Sequence, residues 1–85
     1  MILRSPFPDL EIPDLPLVPF LFQRASEHAD KLAIKCGVTG LGYTYAQLID
    51  GIHRVAAGLH AHGVRKGDVV GLVSPNIPDF AIIFF

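Results

Sequence analysis

With 85 residues, 51% of them hydrophobic and 18% charged, the chain is too apolar for disorder and no longer than one small domain. Seven Lys and Arg against eight Asp and Glu leave a net charge of −1, and the basic residues are scattered, which speaks against nucleic acid as a partner. A chain of this size buries only about 60 to 65% of the surface its unfolded form exposes, so it leans on a further surface for stability.

The N-terminal stretch "MILRSPFPDLE" places an arginine, two prolines and acids directly after three apolar residues, so it lacks the apolar core of a secretory signal. No stretch reaches the length of a transmembrane helix; "FAIIFF", the longest apolar run, is far too short. A cytoplasmic protein is the expectation. Residues 1–19 hold Pro6, Pro8, Pro13, Pro16 and Pro19, through which no helix can run, so residues 1–16 read as an extended proline-rich leader. Its "EIPDLPL" alternates apolar and polar residues and is expected to lie along the body of the protein. A ligand for SH3-type domains is disfavoured, because no P-x-x-P with a basic flank is present.

From residue 17 to about 29, Val18, Leu21, Phe22, Ala25 and Ala29 recur at helical spacing, which predicts one amphipathic helix with Pro19 in its first turn. His28 falls near its end, a position that suits a basic side chain. "KLAIKCG" reads as a strand and, with "GVTGLG" and the short "YTY" after it, as one arm of a hairpin. Cys36 is the single cysteine, with no partner for a disulfide and no companion at metal-ligand spacing. That suits a reducing compartment and ordinary packing on a strand. "GVTGLG" has neither the lysine and hydroxyl of a phosphate loop nor the glycine order of a dinucleotide loop, and a strand follows it.

"YTYAQL" sets Thr44 and Gln47 at the spacing of a capping box and predicts the start of a helix. Leu48, Ile52, Val55 and Leu59 then form one stripe on a helix of about 18 residues, about 27 Å long. Gly51 and Gly58, one heptad apart beside the stripe, predict close approach of another element. Asp50 and Arg54 are spaced as an ion pair, and Gly63 ends the helix as its C′ residue. His53, His60 and His62 lie on or just past the helix at spacings of seven and two, not the i,i+4 of a helical zinc pair, so they read as solvated.

After the polar turn "VRKGD", the run "VVGLVS" predicts a strand buried on both faces. "SPNIPDF" predicts a further helix of about nine residues, with Asn76 as N-cap, Pro78 in the first turn and Asp79 complementing the dipole. The order of elements predicts an α/β architecture in which the helix over 45–62 crosses over between an edge and an interior strand. Ile82, Ile83, Phe84 and Phe85 form an apolar, uncapped end, and the expectation is a piece of a longer protein cut within a helix.

Taken together, "EIPDLPL", "DKLAI", "YTYAQL", "AAGLHAHGVRKGDVVGL" and "SPNIPDF" resemble the beginning of the adenylate-forming acyl-CoA synthetases, most closely the 4-coumarate:CoA ligase-like branch. The resemblance covers about residues 10 to 85. "YTYAQL" is similar to the first core motif of that superfamily, L-[TS]-Y-x-E-L, with Tyr43 in place of the leucine and Gln47 in place of the glutamate. The resemblance implies that residues 17–85 are an incomplete N-terminal α/β subdomain of an AMP-binding domain, the N-terminal portion of a large domain whose helices pack on a mixed sheet. It implies a parent enzyme that activates a carboxylic acid with ATP and Mg²⁺ as an acyl-adenylate and passes the acyl group to coenzyme A. The phosphate loop of type S-G-T-T-G-x-P-K-G, the acidic residues that hold ribose and metal, and the C-terminal lysine have no counterpart here. No catalytic, cofactor-binding or metal residue is therefore assigned within these 85 positions, and the expected partner is the remainder of the ligase chain. A small interaction module using "FAIIFF" and the glycine-bearing helix is the alternative.

Overall fold

The computed structural model describes residues 1–85. Residues 1–16 contain no helix or strand and are exposed throughout, as five prolines require. The helix expected from residue 17 is short: α1 covers Leu17–Leu21, and the chain then turns into a 3-10 turn at Ala25–His28. The single amphipathic helix over 17–29 is thus corrected to two pieces. Pro19 lacks an N–H, which leaves the nascent helix few hydrogen bonds to propagate, and the break lets two apolar residues go different ways. Phe22 meets the ring of Phe85 edge-on at 5.7 Å, while Ala25 turns inward and is 7% exposed.

The hairpin forms as the glycines predict. Strands β1 (Leu32–Lys35) and β2 (Gly42–Thr44) pair antiparallel, with Lys35 opposite Gly42 and Ile34 opposite Tyr43. The connection closes through Cys36 N–H to the Leu41 carbonyl and Gly40 N–H to the Cys36 carbonyl, at 2.7 and 3.0 Å. Gly40, at φ +77°, takes the left-handed conformation that this turn demands. Between Leu32 and Ile34 the register slips, leaving Ala33 as the extra residue of a bulge.

Helix α2 (Tyr45–Ala61) is the longest element, and its two ends are set by local chemistry. At the start, the Gln47 N–H donates to Thr44 Oγ1 at 3.2 Å and the Thr44 N–H donates to Gln47 Oε1 at 2.9 Å, a complete capping box. At the end, Gly63 sits at φ +97°; its N–H reaches the His60 carbonyl and the Val64 N–H reaches that of Leu59, the paired bonds of a Schellman motif. Replacing Thr44 by alanine leaves the Gln47 N–H without its side-chain partner, while the N–H of residue 44 keeps Gln47 Oε1. Thr44→Ala is expected to lower stability by about 1 kcal/mol, read as an earlier loss of helical circular dichroism on heating; an unshifted midpoint counts against the box.

Helix α2 packs against α3 (Asp79–Phe84), the 3-10 turn and both strands, and two of its side chains, Leu48 and Ile52, are buried at 6% and 7% exposure. With Ala25 they form the whole apolar core. Gly51 does what its absent side chain allows: a Cβ there would stand 2.9 Å from Ile82 Cδ1, so α3 lies directly against the helix backbone. Gly58 meets nothing within 4 Å, so the second close approach is corrected.

Two further expectations are corrected at the C-terminal side. Residues 69–74 form no strand: they pair with neither β1 nor β2, and Val69 and Val73 are 95% and 101% exposed. The sheet of these residues is therefore a two-stranded antiparallel one, not a mixed one, and α2 does not serve as a crossover between paired strands. Helix α3 has six residues, and its N-cap position is Pro78, with no side-chain cap. Asn76 stays outside, because the Ile77 N–H bonds back to the Pro75 carbonyl and the first helical turn begins only after it.

The result is a helix-and-hairpin unit with far less interior than its composition could fill. Its radius of gyration is 16.7 Å, against about 12 Å for a compact domain of this length.

Candidate functional site

The hairpin and α3 meet over the start of α2 at a groove of about 490 Å³. Tyr43, Gln47, Asp50, Arg54, Asp79 and Ile82 line it, with Gly51 as its floor. The position of each follows from the local structure above. Tyr43 is the middle residue of β2, Gln47 is fixed by the capping box, and Asp79 opens α3, where a carboxylate suits the positive end of the helix. Asp50 and Arg54 form the expected i,i+4 ion pair at 3.5 Å, with both side chains largely in solvent, so it contributes little to stability.

Across the groove the Tyr43 hydroxyl donates to Asp79 Oδ1. The other side-chain hydrogen bonds join residues no more than five apart, so this one alone ties two distant segments together. The hydrogen bond to Asp79, reinforced by partial burial and by the carboxylate charge, raises the Tyr43 phenol above its ordinary value. Its contribution to stability is complete while an unfolded tyrosine would be protonated, below about pH 10, and is lost as pH rises through the higher folded value. In a Tyr45→Phe background, Asp79→Asn is expected to move the phenolate absorbance of Tyr43 to lower pH. An unchanged titration would mean that Asp79 is not its partner.

Cys36 lies in the hairpin connection just past β1, half-exposed. The Thr39 hydroxyl foremost, then the Thr39 and Val38 N–H groups, hold its thiol below the usual cysteine value. This differs from plain strand packing, and its cause is the turn that "GVTG" builds around the sulfur. His53, His60 and His62 are exposed along α2 and its C-cap, and His28 is half-buried beside Tyr45, with ring centres 6.3 Å apart. No three His, Cys, Asp or Glu side chains gather closely enough to hold a metal ion.

The residues present do not fit a nucleotide either. Gly37 and Gly40 serve the hairpin turn, "GVTGLG" carries no lysine, α2 starts only beyond β2, and the start of α3, which shares a cavity with Thr39 and Leu41, presents the carboxylate of Asp79. The groove is a seam between secondary-structure elements, with its polar groups engaged with one another. Sequence reasoning did not find the Tyr43–Asp79 bond, because nothing local links residues that far apart.

Comparison with known proteins decides what kind of chain carries this seam. Residues 21–85 match the model of the AMP-binding enzyme family. The chain belongs to that family. It is similar to 4-coumarate–CoA ligase 4 of Arabidopsis thaliana, 46% identical over 88 aligned positions that cover 98% of this chain and 15% of the ligase. It is 40% identical to 4-coumarate–CoA ligase 3 of the same plant, over 98% of this chain and 15% of that protein. A 4-coumarate–CoA ligase of Pinus taeda is likewise 40% identical, over 95% of this chain and 15% of its own length. These matches place the chain in the 4-coumarate–CoA ligase-like branch of the AMP-binding enzymes, and it spans about 15% of the length of these relatives.

Proposed function

We propose that this chain is the N-terminal scaffold of an ATP-dependent acid:CoA ligase. The parent enzyme activates a carboxylic acid as its acyl-adenylate and transfers the acyl group to coenzyme A. The observation that carries the reading is the 46% identity to a 4-coumarate–CoA ligase across 98% of this chain. ATP, Mg²⁺ and coenzyme A belong to the whole ligase, and the residues that handle them are supplied by the rest of its polypeptide. These 85 residues carry no phosphate loop of type S-G-T-T-G-x-P-K-G, and in this reading the chain by itself is inactive.

No helix is long and apolar enough to cross a membrane. We place the ligase in the cytoplasm, a compartment that suits its one unpaired cysteine.

The test is a chimera in which this chain replaces the aligned segment of 4-coumarate–CoA ligase 4 of Arabidopsis thaliana. The chimera is expected to form coumaroyl-CoA and to exchange pyrophosphate into ATP when 4-coumarate is supplied. The 85-residue chain alone is expected to do neither. A chimera that folds but fails in both assays overturns the reading.

A further inference from the structure

The chain holds two Ser-Pro pairs, Ser5-Pro6 and Ser74-Pro75, and no Thr-Pro. The fold treats the two in opposite ways. Ser5 lies in the proline-rich leader, where residues 1–15 are all exposed and make no backbone–backbone hydrogen bond. Its hydroxyl oxygen accepts from the Phe7 N–H at 3.1 Å and donates to no other group of the protein. Ser74 is half-buried and donates its hydroxyl to the Pro75 carbonyl at 2.9 Å. That carbonyl also takes the Ile77 N–H at 2.8 Å, in the turn that leads to α3.

Proline after a serine does two things. It confines the serine backbone to the extended region, and it puts no N–H at the next position. A protein kinase that selects proline there has a cleft without an acceptor for that amide, so any other residue enters it with an N–H unpaired. The serine must also be free to leave the body of its own protein. Ser5 meets both conditions, because nothing has to unfold before the leader enters such a cleft. Ser74 meets only the first: reaching its hydroxyl breaks the turn before α3, whose Ile82 lies against α2 at Gly51. The remaining hydroxyls lack the proline. Ser26 sits in the 3-10 turn before Glu27, while Thr39 and Thr44 accept N–H bonds in the hairpin turn and the α2 cap.

We propose that Ser5 is a phosphorylation site for a proline-directed protein kinase, and that the turn before α3 withholds Ser74 from the same enzyme. In the step, Ser5 Oγ bonds to the γ-phosphorus of ATP as the bond from that phosphorus to the bridging oxygen breaks. ADP leaves, and the hydroxyl proton passes to a carboxylate of the kinase. The product adds about 1.5 to 2 negative charges to a leader whose side chains set Arg4 against Asp9, Glu11 and Asp14. Arg4 and the Phe7 N–H are the donors beside the new phosphate.

The 85-residue chain and the chimera are each incubated with an activated mitogen-activated protein kinase and Mg²⁺-ATP, and phosphate is located on peptides by mass spectrometry. Ser5 is expected to carry phosphate in both proteins, and Ser74 of the chimera to carry none. Pro6→Ala is expected to slow phosphorylation of Ser5 by about 10- to 100-fold, the factor that one unpaired amide costs. Ser5→Ala is expected to remove phosphate from the leader peptide, and Ser74→Ala to leave the rate at Ser5 unchanged. Both leader substitutions lie outside the helices and strands, so each variant remains a readable substrate. A bare Ser5 in either protein overturns the proposal. So does Pro6→Ala phosphorylated at the unsubstituted rate, since the proline is then not what the kinase reads. Ser74 of the chimera phosphorylated as fast as Ser5 also overturns it, because the turn then shields nothing.

Discussion

Leu48→Ala is expected to lower stability by about 3 kcal/mol and to abolish cooperative unfolding of the isolated chain. Only Ala25, Leu48 and Ile52 form the apolar core, at 7%, 6% and 7% exposure, and Leu48 is one of its two large side chains. Removing three carbons there opens a cavity at the point where α2 leaves the hairpin and the 3-10 turn packs against it. Few other buried groups can close around the space, so the loss falls in the usual range for such a truncation while the total it is taken from is small. Urea denaturation followed by circular dichroism measures it, in the chimera as well if the isolated chain gives no baseline. A shift of less than about 0.5 kcal/mol, the size typical of a surface substitution, would mean that Leu48 is not a core residue.

Gly42→Val is expected to undo the hairpin. A Cβ at Gly42 would stand 2.4 Å from the Ile34 carbonyl oxygen, 3.2 Å from Lys35 Cα and 3.2 Å from Leu32 Cδ1. Two of these three are backbone atoms, which cannot swing aside as a side-chain tip does. Either β2 moves away from β1 or the bulge at Ala33 rearranges, at a cost of about 3 kcal/mol, the upper end for overpacking. Thr44 is the last residue of β2 and the N-cap of α2, so the damage reaches the capping box. The Cys36 amide, bonded to the Leu41 carbonyl across the turn, reports the outcome. It should lose its protection from exchange in Gly42→Val, and a Cys36 amide as slow as in the unsubstituted chain would refute the clash. By contrast, the same change at Gly58 meets open space and should leave the hairpin intact.

What was legible in the sequence is what short-range chemistry decides. Thr44 and Gln47 cap α2 because both partners lie within one turn, and Gly63 and Gly40 stand where a left-handed residue is needed between two elements. The Asp50–Arg54 pair needs only helical spacing. Features that depend on where distant chain arrives were not legible. Gly51 and Gly58 carry the same signal, yet only Gly51 lies under Ile82, and α3 makes the difference. Apolar spacing at Val18, Phe22 and Ala25 fits one helix, but Phe22 is drawn toward Phe85 and Ala25 toward the core, and the chain breaks between them. Residues 69–74 have the composition of a strand and no neighbour to pair with, so propensity alone does not make one.

The candidate site divides along the same line. The Tyr43–Asp79 bond that organises the seam spans 36 positions and has no sequence signal. Family membership could be read from the joint spacing of several weak motifs and is shown by the match over residues 21–85.

These residues are proposed as scaffold for a ligase whose chemistry is carried by other polypeptide. The intact mass of the protein in the cells that encode it, with its C-terminal peptide sequenced, tests this most directly. A species much heavier than 9.2 kDa, continuing past Phe85 into a glycine- and hydroxyl-rich phosphate loop, is expected. A stable, monodisperse product of 9.2 kDa with Phe85 as its last residue would contradict it and turn attention to a binding partner.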